Sequence, residues 1–215
     1  MILKRLLLLS SVVMLASATF AKADTIFTLK LDGCTGTCGT PTSLGAGVFA
    51  TVDIAQTSAT EVTVTETLAS GESFVKSGAG SALVFNINPT LGAFTIGSPT
   101  TGFSSNGADK ASAFGNFLDS VTCSGCGHGG SATLPGPLTF TVSAAGITAA
   151  DFIANTDGKF FAADIMGGNG KTGNVGDGDP GVPTGGSPVP EPSSLMLLGT
   201  GLAGAAGLVR RRLFS

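Results

Sequence analysis

The sequence predicts an all-β fold, an antiparallel β-sandwich of jelly-roll-like form with one short helix. Three observations predict it. Apolar and polar residues alternate at period two in about eight short stretches, the spacing that gives a strand one core face and one wet face. Gly, Pro and Asn punctuate these stretches, with 33 glycines and 10 prolines in 215 residues. Each strand has a single apolar face, so two sheets must meet to close a core.

The elements follow in order. Phe27, Leu29 and Leu31 share a face against Ile26, Thr28 and Lys30. Val48, Ala50, Val52 and Ile54 line the next strand, and Val62 and Val64 another, with Glu61, Thr63 and Thr65 outward. Leu83, Phe85 and Ile87 form a strand closed by Asn88-Pro89, and Phe94 and Ile96 follow. Phe114, Phe117 and Leu118 lead into Val121 as a strand bulged at Gly115. Leu138, Phe140 and Val142 are entered through Pro135-Gly136-Pro137, and Phe161, Ala163 and Ile165 make the last strand. The helix is expected from Thr148 as N-cap with Asp151 three residues on, stapled by Ile147 and Phe152 and ending between Asn155 and Gly158. From Gly167 the alternation gives way to a Gly, Asn and Asp run with no recurring core residue. The domain is therefore expected over 24–166 and a flexible Gly-rich linker over 167–188.

Both ends read as processing segments. Lys4 and Arg5 precede the apolar run Leu6 to Ala18, and Ala21-Lys22-Ala23 has the small-x-small form of a signal-peptidase site. Residues 1–23 are thus expected to be a signal peptide, cut after Ala23. At the other end Pro190 and Pro192 fix φ and hold Glu191 in an extended, exposed corner. Ser193 to Val209 is an uncharged stretch of 17 residues, about the shortest that crosses a bilayer. It is expected to be a transmembrane helix, with Arg210, Arg211 and Arg212 as its cytoplasmic stop.

The order Val-Pro-Glu-Pro-Ser-Ser-Leu, then Leu-Leu-Gly-x-Gly-Leu-x-Gly, then an arginine cluster, over 189–212, resembles the PEP-CTERM sorting signal of Gram-negative bacteria. The resemblance implies recognition by an exosortase, a membrane enzyme similar to cysteine transpeptidases, which cuts near Pro190-Glu191-Pro192. It implies an exported protein, anchored transiently and then found at the surface or outside the cell, in the setting of exopolysaccharide and biofilm. Residues 136–142 and 160–165 look more loosely like the end of a domain found in such proteins.

Composition excludes some functions. The whole chain carries a net charge of −3. Six of its eleven basic residues lie in the two terminal segments, and from Asp24 to Pro190 five basic residues face 13 acidic ones, a net of −8. Such a surface repels phosphate backbones, so no nucleic-acid partner is expected. The chain has no Trp and no Tyr, and its 14 Phe are its only aromatics. Sugar sites that stack on amphipathic rings are thereby disfavoured, with Phe the one ring left for the task.

The four cysteines form two close pairs, Cys34 with Cys38 and Cys123 with Cys126. Four thiolates at these spacings can hold one zinc ion. The even count and the oxidising export route favour two local disulfides, Cys34–Cys38 and Cys123–Cys126, among three possible connectivities. Cys123-Ser-Gly-Cys126-Gly127-His128 has one residue too many for covalent haem attachment. His128 is the only histidine, which removes a Ser-His-Asp triad built on any other. Asn169, Asn174, Asp177 and Asp179 are candidate calcium ligands, although Thr172 stands where a nonapeptide calcium repeat needs Asp. Asp53, Asp119, Asp151 and Asp164 are candidates for a glycosidase-type carboxylate pair. The reading is a non-enzymatic exported protein without catalytic residues, cofactor or metal, whose partners are signal peptidase, exosortase, the membrane and exopolysaccharide. The alternatives are a carbohydrate- or calcium-binding adhesin module and a hydrolase acting on polysaccharide.

Overall fold

In the computed structural model residues 24–33, 47–77, 81–177 and 200–201 are described. The strands are β1 (Thr25–Asp32), β2 (Ala50–Ser58), β3 (Glu61–Leu68), β4 (Ser73–Phe74), β5 (Leu83–Phe85), β6 (Thr95–Gly97), β7 (Ser104–Asn106), β8 (Asp109–Ala111), β9 (Gly115–Phe117), β10 (Asp119–Thr122), β11 (Leu138–Ser143), β12 (Phe161–Met166) and β13 (Thr172–Asp177). Every paired strand is antiparallel, so the all-β expectation holds.

The layout differs from two separate sheets. One sheet of eleven strands runs β6-β11-β3-β2-β1-β13-β12-β5-β10-β7, with β4 beside β12, and a β8-β9 hairpin stands apart. The long sheet curls until its two halves face each other. Phe85 of β5 stacks on Phe140 of β11, with ring centroids 5.6 Å apart, although five strands lie between them in the hydrogen-bonded order. The same ring meets Phe152 and Phe161, and Phe161 meets Phe27 of β1. A twisted sheet of this length coils or closes rather than lying flat, and closing it hides the apolar face of nearly every strand in one core.

Alternation decides which side chains enter that core. Val52, Ile54, Val62, Val64, Leu83, Phe85, Leu138, Phe140, Val142, Phe161, Ala163 and Ile165 all point in. Val48 does not: it precedes β2 and is 47% exposed, and Phe49 is buried in its place. The bulged strand expected around Gly115 is instead the β8-β9 hairpin followed by β10, and Leu118 between them is 59% exposed. The expected helix is a single 3₁₀ turn at Ala149–Asp151. Its start is as predicted, since the Asp151 carboxylate accepts from the Thr148 N–H and hydroxyl, both at 2.9 Å, and Ile147 and Phe152 are buried. Phe152 then turns into an extended bridge with Ile87, which ends the turn.

The largest correction concerns the linker. Thr172–Asp177, inside the expected 167–188 linker, is β13, hydrogen-bonded between β1 and β12 with Val175 in the core. Its glycines hid it from a periodicity argument, and Gly176 is there for packing. A Cβ on Gly176 would lie 2.6 Å from the ring of Phe114. Phe114, Phe117, Ala111, Val84 and Ala162 form a second small core on the outer face of β5, β12 and β13. The β8-β9 hairpin therefore roofs that half of the sheet.

Phe85 joins both halves of the closed sheet. Phe85→Ala is expected to cost about 3–5 kcal/mol, read as a lower midpoint in urea unfolding. Phe94→Ala, at the half-buried rim, is expected to cost clearly less.

Candidate functional site

Three groups of residues carry chemistry beyond packing. The first lies on the outer face of β12, one step along from Ala162. Asp164 is 0% exposed. Its Oδ1 accepts from the Ser77 hydroxyl and its Oδ2 from the Ser77 N–H, both at 2.6 Å. The Asp164 N–H donates to the Ser81 carbonyl at 2.9 Å, and the Ser81 hydroxyl donates to Asp109 on β8. Burial pushes the Asp164 carboxyl up to about 6; the two Ser77 bonds oppose this and the charge of Asp109 adds to it. Asn174 sits opposite Asp164 on β13, and its buried Oδ1 has no hydrogen-bond partner. The site thus ties the segment before β5 to the sheet and to the β8-β9 roof.

The second group is the loop after β10. Cys123 and Cys126 form a disulfide with their Cα atoms 5.3 Å apart. That pairing is one of the two expected, and it takes these two thiolates out of a four-cysteine zinc site. Gly125 N–H donates to the Gly102 carbonyl and Gly129 N–H to the Lys76 carbonyl, so the loop is pinned on both sides. His128 is exposed and pairs through its backbone with Lys76.

The third is Glu66. Strict alternation along β3 carries it inward after Val62 and Val64. It is 0% exposed between Val52 and Leu138, and neither carboxylate oxygen has a hydrogen-bond partner. Burial pushes its carboxyl well above the usual range.

The other sequence candidates are dispersed. Asp53 lies on the outer face of β2, Asp119 opens β10 and accepts from Ile87 N–H at 3.4 Å, and Asp151 caps the 3₁₀ turn. The four proposed carboxylates thus sit on four elements, and the acidic neighbour of Asp164 is Asp109, which the sequence reading had not named. The sequence signal for this group is the pair Ser77 and Ser81, whose hydroxyls go to Asp164 on β12 and to Asp109 on β8. Among the calcium candidates, Asn169 accepts from Lys171 N–H in the β12-β13 turn at 2.9 Å. The Asp177 carboxylate accepts from the Phe160 and Phe161 N–H groups at 3.1–3.2 Å. No cluster of three or more His, Cys, Asp or Glu able to hold a metal occurs among the described residues.

The expected signal peptide with Ala21 and Ala23, the pair Cys34 and Cys38, Asp179, the corner Pro190, Glu191 and Pro192, and Arg210, Arg211 and Arg212 lie outside the described residues. Of the expected helix 193–209, Thr200 and Gly201 are described, and both are helical. Among the described residues no helix is long and apolar enough to cross a membrane.

Residues 188–212 match the family model of the PEP-CTERM protein-sorting motif. The chain carries a PEP-CTERM sorting motif. The match takes in the Pro-Glu-Pro corner, the apolar stretch and the arginine stop, and it agrees with the resemblance read from residues 189–212. The PEP-CTERM motif marks the chain as an exosortase-targeted, exported protein. No curated protein and no solved structure matches the chain.

Two outcomes are expected from these sites. Replacing Cys123 and Cys126 by serine opens a short loop and should cost about 2 kcal/mol of unfolding free energy on the chain-entropy estimate, seen as a lower urea midpoint without reductant. For Glu66 the folded pKa lies above the unfolded one. Its contribution to stability is therefore full below the unfolded pKa and is lost as pH rises through the folded pKa. Glu66→Gln should flatten the fall of the urea midpoint between acid and alkaline pH; an unchanged slope would show that burial does not raise the Glu66 carboxyl.

Proposed function

We propose that this chain is a non-enzymatic protein of the cell surface or extracellular matrix, associated there with exopolysaccharide. On this reading signal peptidase removes residues 1–23 after Ala21-Lys22-Ala23. The 193–209 segment then holds the precursor in the membrane, with Arg210, Arg211 and Arg212 on the cytoplasmic side. An exosortase cuts near Pro190-Glu191-Pro192 and frees the β domain. The observation that carries the reading is the PEP-CTERM motif at 188–212.

The domain's own chemistry is consistent with a cargo role. Its sequence-level candidate carboxylates lie on separate elements, and Asp164 and Asp177 spend their oxygens on Ser77 and on backbone N–H groups. A glycosidase needs two carboxylates facing one groove at about 5–10 Å. Nothing in the placement of these residues favours the hydrolase reading.

Expression with an exosortase tests the proposal. The wild-type chain should yield a shortened, soluble exported product whose C-terminus, read by mass spectrometry, falls near Pro190. Glu191→Ala should leave a full-length precursor in the membrane fraction. The same C-terminus and location in both chains would overturn the sorting role of the corner.

A further inference from the structure

The outer face of the closed sheet is treated differently on its two halves. Over β5, β12 and β13 it is roofed by the β8-β9 hairpin and its small core. Over β11, β3 and β2 the outward side chains are a lattice of hydroxyls. Thr139 stands opposite Thr65, which stands opposite Asp53. Thr141 stands opposite Thr63, Ser143 opposite Glu61, and Thr67 opposite Thr51, which faces Thr28 of β1. Thr63, Thr65, Thr139 and Thr141 are half-buried and Thr67 is exposed, so the rows remain open to a partner. Sheet geometry sets the rows about 4.8 Å apart across strands and about 6.8 Å along them.

From this arrangement we propose that the outer face of β11, β3 and β2 is a docking surface for a neutral polysaccharide chain. The inference rests on the matrix reading above and names the surface that would meet the matrix. Threonine is stiff at χ1, so the hydroxyls are held in place before a partner arrives and little rotamer entropy is lost on contact. The Thr141 hydroxyl donates to the Gly97 carbonyl, and those of Thr65 and Thr139 bond each other at 3.4 Å; each keeps a lone pair to accept from a sugar hydroxyl, and the methyl groups between them suit the C–H faces of a sugar ring. Asp53 lies in the same rows, with its Oδ1 turned in and buried. No Phe stands among the outward side chains of β2, β3 and β11, so ring stacking is not part of this face.

Charge selects the occupant. Lys30 is the single cation on β1, β2, β3, β6 and β11, whereas Asp53 and Glu61 place carboxylates on the face. The stretch from Asp24 to Pro190 is also net −8. A polyanion is repelled by this surface. A second copy laid face to face would bring the same carboxylates together, which is unfavourable. A polymer of neutral sugars offers hydroxyl donors to those acceptors without that cost.

The test uses the purified full chain with three polymers: microcrystalline cellulose, neutral dextran and anionic alginate. The expected result is saturable binding to a neutral polymer and none to alginate. A chain with Thr63→Val, Thr65→Val, Thr139→Val and Thr141→Val keeps the shape and β-propensity of each site. It should bind about tenfold more weakly or worse, with an unchanged circular dichroism spectrum. If the combined variant does not fold, Thr65→Val alone should still weaken binding measurably. Binding by the variant at wild-type strength overturns the proposal, as does equal binding to alginate or no binding to either neutral polymer. A concentration-dependent dimer that the valine variant abolishes would assign the face to a second copy and overturn it too. Sorting is read separately through Glu191→Ala, so normal processing without polymer binding removes the surface and leaves the sorting reading standing.

Discussion

The fold depends on one contact across the core, where Phe85 of β5 meets Phe140 of β11. A single antiparallel sheet of eleven strands has one apolar face and no second sheet to cover it. It must therefore supply its own cover, and it does so by coiling until strands far apart in the hydrogen-bonded order become neighbours through their side chains. The rings of Phe27, Phe152 and Phe161 extend that contact along the closure. The all-Phe aromatic content fits this role. Rings without a polar edge leave no hydroxyl or indole N–H to satisfy inside.

Closure on the inside leaves the outside to be managed, and the two halves are managed by different means. Above β12 and β13 the surface is made of small residues: Ala162 and Gly176 lie under Phe114, and Asp164 is tied down by Ser77. The hairpin can settle there only because those residues have little or no side chain. Above β3 and β11 the threonines do the opposite. They are β-branched enough to favour a strand and polar enough to face water, so that half needs no roof. The placement of Glu66 belongs to the same alternation read inward. It follows Val62 and Val64 into the core and finds no partner there, a cost that the surrounding apolar packing must outweigh.

Much of the core was legible because alternation in a half-buried strand is a direct record of which face is wet. Leu83, Phe85, Ile87, Leu138, Phe140, Val142, Phe161, Ala163 and Ile165 are all buried as their spacing requires. The same rule, carried two residues past Val64, would have found Glu66. What spacing does not record is contact between elements. Gly173 and Gly176 made β13 look like linker, and the reason for Gly176 is the ring of Phe114, some sixty residues away in sequence. The Asp164–Ser77–Ser81–Asp109 group is likewise assembled from three distant segments. The start of the 3₁₀ turn was readable from Thr148 and Asp151, which bond locally. Its length was not, because the pull of Phe152 into the core decides where it stops. The single sheet in place of two follows from closure, a property of the whole order of strands rather than of any one of them.

The position of β13 also relates the cargo to its address. Twelve residues, 178–189, lie between β13 and Pro190, where the sequence alone had suggested a linker of 22 residues, 167–188. A cut at the Pro-Glu-Pro corner therefore leaves every strand of the sheet intact. β13 is no edge strand: it is hydrogen-bonded to β1 on one side and β12 on the other, and it carries Val175 into the core. The sheet cannot be continuous from β1 to β12 until Thr172–Asp177 is in place. Since β13 is the last strand among the described residues, the sheet as described can complete its closure only after the chain to Asp177 is available.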